Sequence, residues 1–254
     1  MRREQAIEVV DLNVSYVRSD GSRKTAVENF SLQVKRGEIV SIVGPSGCGK
    51  TSVLRSIAGE VRHEGTCTVN VQEAGALAYL RQSPALLPWR NALENAALGQ
   101  EVRGLLTSDS IARVEETLLK FGLDRASVLA YPDELSMGMQ QRVAVARALE
   151  SNAKVLLCDE PFSAVDYINR LTLNTIFKRR CFADVAVLLV THNIDEAIYL
   201  SSRVCVMAGS PGRIVAEVEP AFQQYVDDPV AMRTLPEFET YFSRIWQSMS
   251  GHGH

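Results

Sequence analysis

One stretch constrains this chain more than any other: EIVSIVGPSGCGKTSVLRSIAG, residues 38–59. A β-type run ends at Gly44, a loop of small residues follows, and a helical pattern starts at Lys50. Gly44, Gly49, Lys50 and Thr51 fill the spacing G-x-x-x-x-G-K-[ST], and Gly47 adds a further small residue inside it. In such a loop the backbone N–H groups can curl around phosphate oxygens, and the N-terminus of the following helix faces the same charge. Lys50 is then expected to reach the β- and γ-phosphates of a nucleotide, and the Thr51 hydroxyl to ligate Mg²⁺. The cradle needs a buried strand before it and a helix after it, which points to an α/β fold.

Two more apolar runs end in chemistry. KVLLCDE, residues 154–160, places Asp159 at a strand end, where a carboxylate can hold Mg²⁺ or its water. Glu160, next to it, is placed to polarise a water attacking the γ-phosphate. VAVLLVTH, residues 185–192, ends in His192. A lone histidine at a strand end is commonly structural. Three strand ends carrying Lys/Thr, Asp/Glu and His on one edge of a parallel sheet, however, give His192 access to the γ-phosphate and to Glu160.

A second helix start also favours an anion. In ELSMGMQQRVAVARALE, residues 134–150, Ser136 can cap the first turn, Gly138 leaves the backbone open, and Val143, Ala146, Ala148 and Leu149 form an apolar side.

The remaining sequence sets limits. The 254 residues suit one large α/β domain or two small ones, and 27 Lys and Arg against 30 Asp and Glu give a net charge of −3, with no general pull toward nucleic acid. Five scattered cysteines with no CxxC pair fit neither a disulfide framework nor a zinc site and suit a reducing cytoplasm. The longest strongly apolar run is too short to span a bilayer, so a role at a membrane requires another chain.

AVENFSLQV, residues 26–34, reads as a strand, and RVCVMAGSPGRIVAEVE, residues 203–219, as a hairpin. Between about 84 and 150 the pattern turns helical, with Ile111, Val114, Leu118 and Phe121 at helical spacing. Near the C-terminus Phe238, Tyr241, Phe242, Ile245 and Met249 share one helix face, expected to pack on its own domain. The closing GHGH reads as a frayed tail or an added remnant.

In this order and spacing the motifs resemble those of the ATP-binding subunit of an ABC transporter, along nearly the whole chain. Gly44, Pro45, Ser46, Gly47, Cys48, Gly49, Lys50, Thr51 and Ser52 look like its Walker A segment. VLLCDEP looks like Walker B with its catalytic glutamate, SAVD like the D-loop and VTHNIDEA like the H-loop. Gln82 matches the Q-loop glutamine, implied to sense Mg²⁺ and the attacking water, and Tyr16 the aromatic that stacks on adenine. LSMGMQQR falls where the family has its LSGGQ signature, which binds the γ-phosphate of ATP held by the other subunit. Met137 and Met139 depart from that pattern; with Ser136 and Gly138 retained, the motif is expected to work.

The resemblance implies a P-loop NTPase fold: a RecA-like, mainly parallel sheet core, an antiparallel β subdomain and an inserted helical subdomain at about 84–150. The ATP-binding domain would cover 1–225, with a short helical extension and tail over 226–254. It implies ATP and Mg²⁺ as ligands and a head-to-tail homodimer with two ATP sites. It further implies an integral membrane permease touched by Leu86, Leu87 and Trp89, a substrate-binding protein outside the membrane, and a place on the cytoplasmic face of the cell membrane. RQSPALLPWRNALENAALG, DEAIYLSSRV and GSPGRIVAEVE look most like the nitrate, sulfonate and taurine importer group. The alternative is a soluble ABC-type ATPase uncoupled from transport; the long coiled coil of DNA-repair members and the duplicated domain of translation members are both missing from this sequence.

Overall fold

The computed structural model describes residues 4–71, 73, 75–181, 184–223 and 226–251. Met1–Arg3 and the last three residues of the GHGH tail lie outside them. The strands are β1 (Gln5–Val17), β2 (Arg23–Lys35), β3 (Ile39–Val43), β4 (Glu64–Val69), β5 (Leu77–Leu80), β6 (Val155–Asp159), β7 (Ala186–Thr191), β8 (Arg203–Ala208) and β9 (Arg213–Val218). They form a three-stranded antiparallel sheet, β2-β1-β4, and a six-stranded sheet ordered β5-β6-β7-β3-β8-β9. The larger sheet is parallel except for β9, which closes the expected hairpin with β8.

Burial on both faces explains the nearly all-apolar runs of β3, β6 and β7, in which Ser41 is the one polar residue inside a run. Successive side chains of a strand point to opposite faces, so each run feeds two cores. Val40, Ile42, Val155, Leu157, Leu188 and Val190 pack with Ile7, Leu12 and Phe30 of the antiparallel sheet and with Val53 and Leu54. Ile39, Val43, Leu156, Cys158, Val187 and Leu189 join the opposite core, built with helices.

The helices are α1 (Lys50–Ile57), α2 (Ala92–Val102), α3 (Ser108–Lys120), α4 (Arg125–Leu129), α5 (Met137–Glu150), α6 (Tyr167–Cys181), α7 (Ile194–Leu200), α8 (Pro229–Arg233) and α9 (Pro236–Ser250). In the 84–150 stretch the first helix begins only at Ala92, because residues 81–91 form an irregular loop. The α3 stripe is corrected at its start: Val114, Leu118 and Phe121 are buried but Ile111 is exposed, the helix burying Ser110 and Thr117 instead. α5 is buried nearly all round rather than on one side, since α2, α3, β5 and α6 all touch it. α9 packs on α7, β8 and β9 through Phe238 and Ile245, as its stripe predicts. Among the described residues no helix is long and apolar enough to cross a membrane, and the five cysteines are free.

Buried side-chain hydrogen bonds shape two of the segments that carry chemistry. Asn95, fully buried, accepts from Leu87 N–H at 2.7 Å and donates to the carbonyls of Leu87, Arg90 and Asn91 at 3.1, 2.9 and 3.1 Å. At the β7–α7 junction the Thr191 hydroxyl donates to the buried Glu196 carboxyl and accepts from Asn193 N–H at 3.1 Å, while Asn193 Oδ1 accepts from Glu196 N–H at 3.1 Å. His192 is thereby bracketed by two tied neighbours. Burial lifts Glu196 from 4.5 to about 7; the Thr191 hydrogen bond, Arg170 and His192 oppose the shift and Glu160 adds to it.

Asn95→Ala strands several buried backbone groups and should cost about 2–3 kcal/mol in urea unfolding; a cost under about 0.5 kcal/mol would contradict the stapling role. For Glu196 the native state holds a proton that the unfolded chain has lost between 4.5 and about 7. Its contribution therefore falls as pH rises through that window and stays lost above it. Glu196→Gln should gain roughly 2–3 kcal/mol on the parent chain between about pH 5 and pH 8; parallel stability curves would contradict the raised value.

Candidate functional site

Register brings three strand ends to one level. β7 lies between β6 and β3, Asp159 pairs with Val190 and Val43 with Thr191. The first residues beyond those strands, Glu160, Gly44 and His192, therefore emerge side by side at the C-terminal edge, the usual ligand edge of an open α/β sheet.

The loop after β3 is closely packed beneath and open above. A Cβ on Gly44 would sit 2.0 Å from the Met207 carbonyl, and Gly49, at φ +100°, would meet the Ala26 carbonyl at 2.6 Å. Glycine is required at both, by close approach at the first and by backbone conformation as well at the second. Pro45, Ser46, Gly47 and Thr51 face solvent. The Lys50 ammonium folds across the loop and donates to the carbonyls of Gly44 and Pro45 at 2.7 and 2.9 Å. Cys48 turns inward toward the Met207 carbonyl at 3.6 Å, and burial raises its thiol pKa against the pull of Lys50.

Thr51 Oγ1 donates to Asp159 Oδ1 at 3.1 Å, so a hydroxyl from α1 and a carboxylate from β6 already meet. Burial is the main cause that raises Asp159; Glu160 adds to it, while Thr51 and Lys50 hold it down. A hydroxyl and a carboxylate beside a phosphate cradle are the hard oxygen donors that Mg²⁺ takes. Glu160 adopts φ +48°, strained for a residue with a side chain, and its N–H donates to the Val190 carbonyl at 2.8 Å. Its Oε2 lies 3.2 Å from His192 Nδ1, with the histidine more exposed than the glutamate. The strand end thus bends Glu160 toward the neighbouring strand's histidine.

Other residues singled out in the sequence lie around this cluster. Tyr16 is half-buried, and its hydroxyl donates to Ser52 Oγ at 3.0 Å, which sets the ring beside the first turn of α1. Ser136 caps α5, accepting from Met139 N–H at 3.3 Å, and Met137 is exposed. Gly138 has a packing reason of its own, because a Cβ there would press on the Ala164 carbonyl at 3.1 Å. The Gln82 side chain is exposed, with no hydrogen bond among the described residues. Of the three side chains expected at a partner surface, only Trp89 is exposed; Leu86 and Leu87 are half-buried, with Leu86 packed on the helix-side core. Sequence reasoning missed Thr191 and Glu196 beside His192. Asn193 followed three residues later by an acid is a helix-start signal that could have found Glu196.

Comparison with known proteins agrees with this geometry. Residues 27–163 match the family model described as ABC transporter. The taurine import ATP-binding protein of Escherichia coli is 36% identical over 249 residues, covering 93% of this chain and 97% of that one. An aliphatic sulfonates import ATP-binding protein of Xanthomonas axonopodis pv. citri is 42% identical over 204 residues, 76% of this chain and 79% of its own length. Among solved structures, a dimeric ATP-binding cassette in a post-hydrolysis state with ADP and Pi superposes with a TM-score of 0.74 at 26% identity, over 85% of this chain and 99% of that one. With its phosphate cradle, acidic strand end and histidine on one edge, the chain belongs to the ABC transporter family as an ATP-binding, ATP-hydrolysing subunit.

Proposed function

We propose that this chain energises an importer of a small solute of the sulfonate, taurine or nitrate kind, working as a head-to-tail homodimer beneath a membrane permease. The observation that carries the reading is the Glu160–His192 pair beside the Thr51–Asp159 pair on one strand edge. Tyr16 stacks on the adenine of ATP, while the loop from Gly44 to Ser52 wraps the phosphates. Lys50 gives up its two loop carbonyls for phosphate oxygens as nucleotide binds. Thr51 and Asp159, joined by Gln82, hold Mg²⁺, which when bound neutralises charge on the β- and γ-phosphates. Glu160 polarises the attacking water, and His192 orients Glu160 and contacts the γ-phosphate.

Ser136 and Gly138 serve the nucleotide of the other copy. The start of α5, capped by Ser136 and exposed at Met137, still turns backbone N–H groups and the positive end of the helix dipole outward, which suits a phosphate other than the one in the chain's own cradle. Two ATP molecules then bridge two chains, and hydrolysis removes the bridge. The similarity to a dimeric cassette supports this arrangement, and the names of the import relatives support the solute class.

The permease binds beside the Gln82 loop. Trp89 is 69% exposed there, and Arg147, which hydrogen-bonds the same loop at Pro84 and Ala85, lines a groove of about 270 Å³ together with Leu77, Tyr79, Leu98, Val102 and Ala144. A cytoplasmic helix of the permease suits an apolar groove of this kind. That contact holds the chain at the cytoplasmic face of the membrane, with a substrate-binding protein on the far side and no nucleic acid partner.

Glu160→Gln should lower turnover by at least about a hundredfold while ATP still binds. With Mg²⁺ and ATP the same variant should run as a dimer in light scattering, and adding Ser136→Arg should return it to monomer. A monomer that persists in Glu160→Gln even with the permease present would sink the dimer reading.

A further inference from the structure

The loop carrying Gln82 is gripped by a residue that the nucleotide site does not account for. Arg147, in the last turn of α5, donates through Nη1 to the Ala85 carbonyl at 3.0 Å and through Nη2 to the Pro84 carbonyl at 2.7 Å. Among the described residues it forms no salt bridge, so both carbonyl bonds serve a guanidinium with no carboxylate beside it. Burial disfavours its charge, and the two carbonyls are what offsets that cost. Ala85 sits at φ +47°, a conformation that a residue with a side chain adopts only when its surroundings hold it there.

Asn95 grips the second half of the same loop, at Leu87, Arg90 and Asn91. Both grips come from the helices α2 and α5, so residues 84–91 are tied to the helical stretch rather than to the sheet. Arg81, on the other side, pairs with Glu60 after α1. The change of allegiance falls on Gln82 and Ser83. Ser136 caps the start of the same α5, and Gly138 and Arg147 stand about 14 Å apart along that one helix.

We infer that Arg147 is a positioning residue for Gln82: through Pro84 and Ala85 it makes the placement of Gln82 at the metal side of the nucleotide follow the orientation of the helix that carries Ser136 and Gly138. The inference rests on the proposed role of Gln82. A point charge cannot replace it fully, because two carbonyls are held by one planar fork.

The test is a set of turnover measurements on the purified chain against Mg²⁺ concentration, with Arg147→Met, Arg147→Lys, Gln82→Ala and the double variant Arg147→Met/Gln82→Ala. Arg147→Met should raise the Mg²⁺ needed for half-maximal turnover at least about fivefold and lower kcat about tenfold. Binding of ATP without Mg²⁺ should stay within about twofold, which general loosening of the fold would not allow. Arg147→Lys, which keeps the charge and fills the same space, should fall between, and it stands in if Arg147→Met does not fold. The double variant should be no slower than Gln82→Ala within about twofold, the mark of two residues acting through one route. Multiplying losses in the double variant, or an unchanged Mg²⁺ dependence in a folded Arg147 variant, would overturn the inference alone. Parent-like turnover in Gln82→Ala would overturn it together with the role proposed for Gln82.

Discussion

Everything at this site depends on parallel pairing of β7 with β6 on one side and β3 on the other. Parallel strands in register end at one level, so three segments far apart in the chain deliver their next residues to one edge. Phosphate cradle, acidic pair and histidine then need no further folding to meet. The two-faced burial of the same strands holds that edge rigid, since Val190 and Leu189 each anchor a different core.

On that rigid edge the strained and charged groups are held by neighbours rather than by their own preferences. Glu160 keeps a left-handed backbone because its N–H is tied to Val190, and His192 sits between Thr191 and Asn193, both linked to Glu196. Asp159 is buried yet already met by the Thr51 hydroxyl. The helical part is attached differently. Its loop is fastened by Asn95 and Arg147 to α2 and α5, which leaves Gln82 and Ser83 as the joint between the sheet edge and the helical stretch. Such a joint is what an ATPase needs if closure around nucleotide is to reach a membrane partner.

Much of this was legible in the residues. A strand buried on both faces writes itself as an apolar run, so β3, β6 and β7 and the polar residues that end them could be read directly. The phosphate cradle carries its own spacing, and Ser136 its own cap signal. Less visible were β4 and β5. Glu64–Val69 has one face in solvent and little apolar content, and Leu77–Leu80 is only four residues long. Leu86 and Leu87 came in as partner contacts through the family resemblance, and packing leaves both half-buried, Leu86 against the helix-side core. Arg147 reaches Ala85 across 62 residues of sequence, and no local pattern encodes such a contact. The lifted Glu196 likewise depends on burial contributed by other elements.

The central claim is that each chain holds two halves of different sites, a cradle at Lys50 and a completing helix start at Ser136. Mixing two inactive chains, Lys50→Ala and Ser136→Arg, tests it most directly. If the halves combine across copies, each mixed dimer contains one site with both parts intact, and turnover should reappear at about a quarter of the parent value in an equal mixture. Turnover that never exceeds the sum of the separate variants would contradict the account, because the two groups would then be serving one site within a single chain.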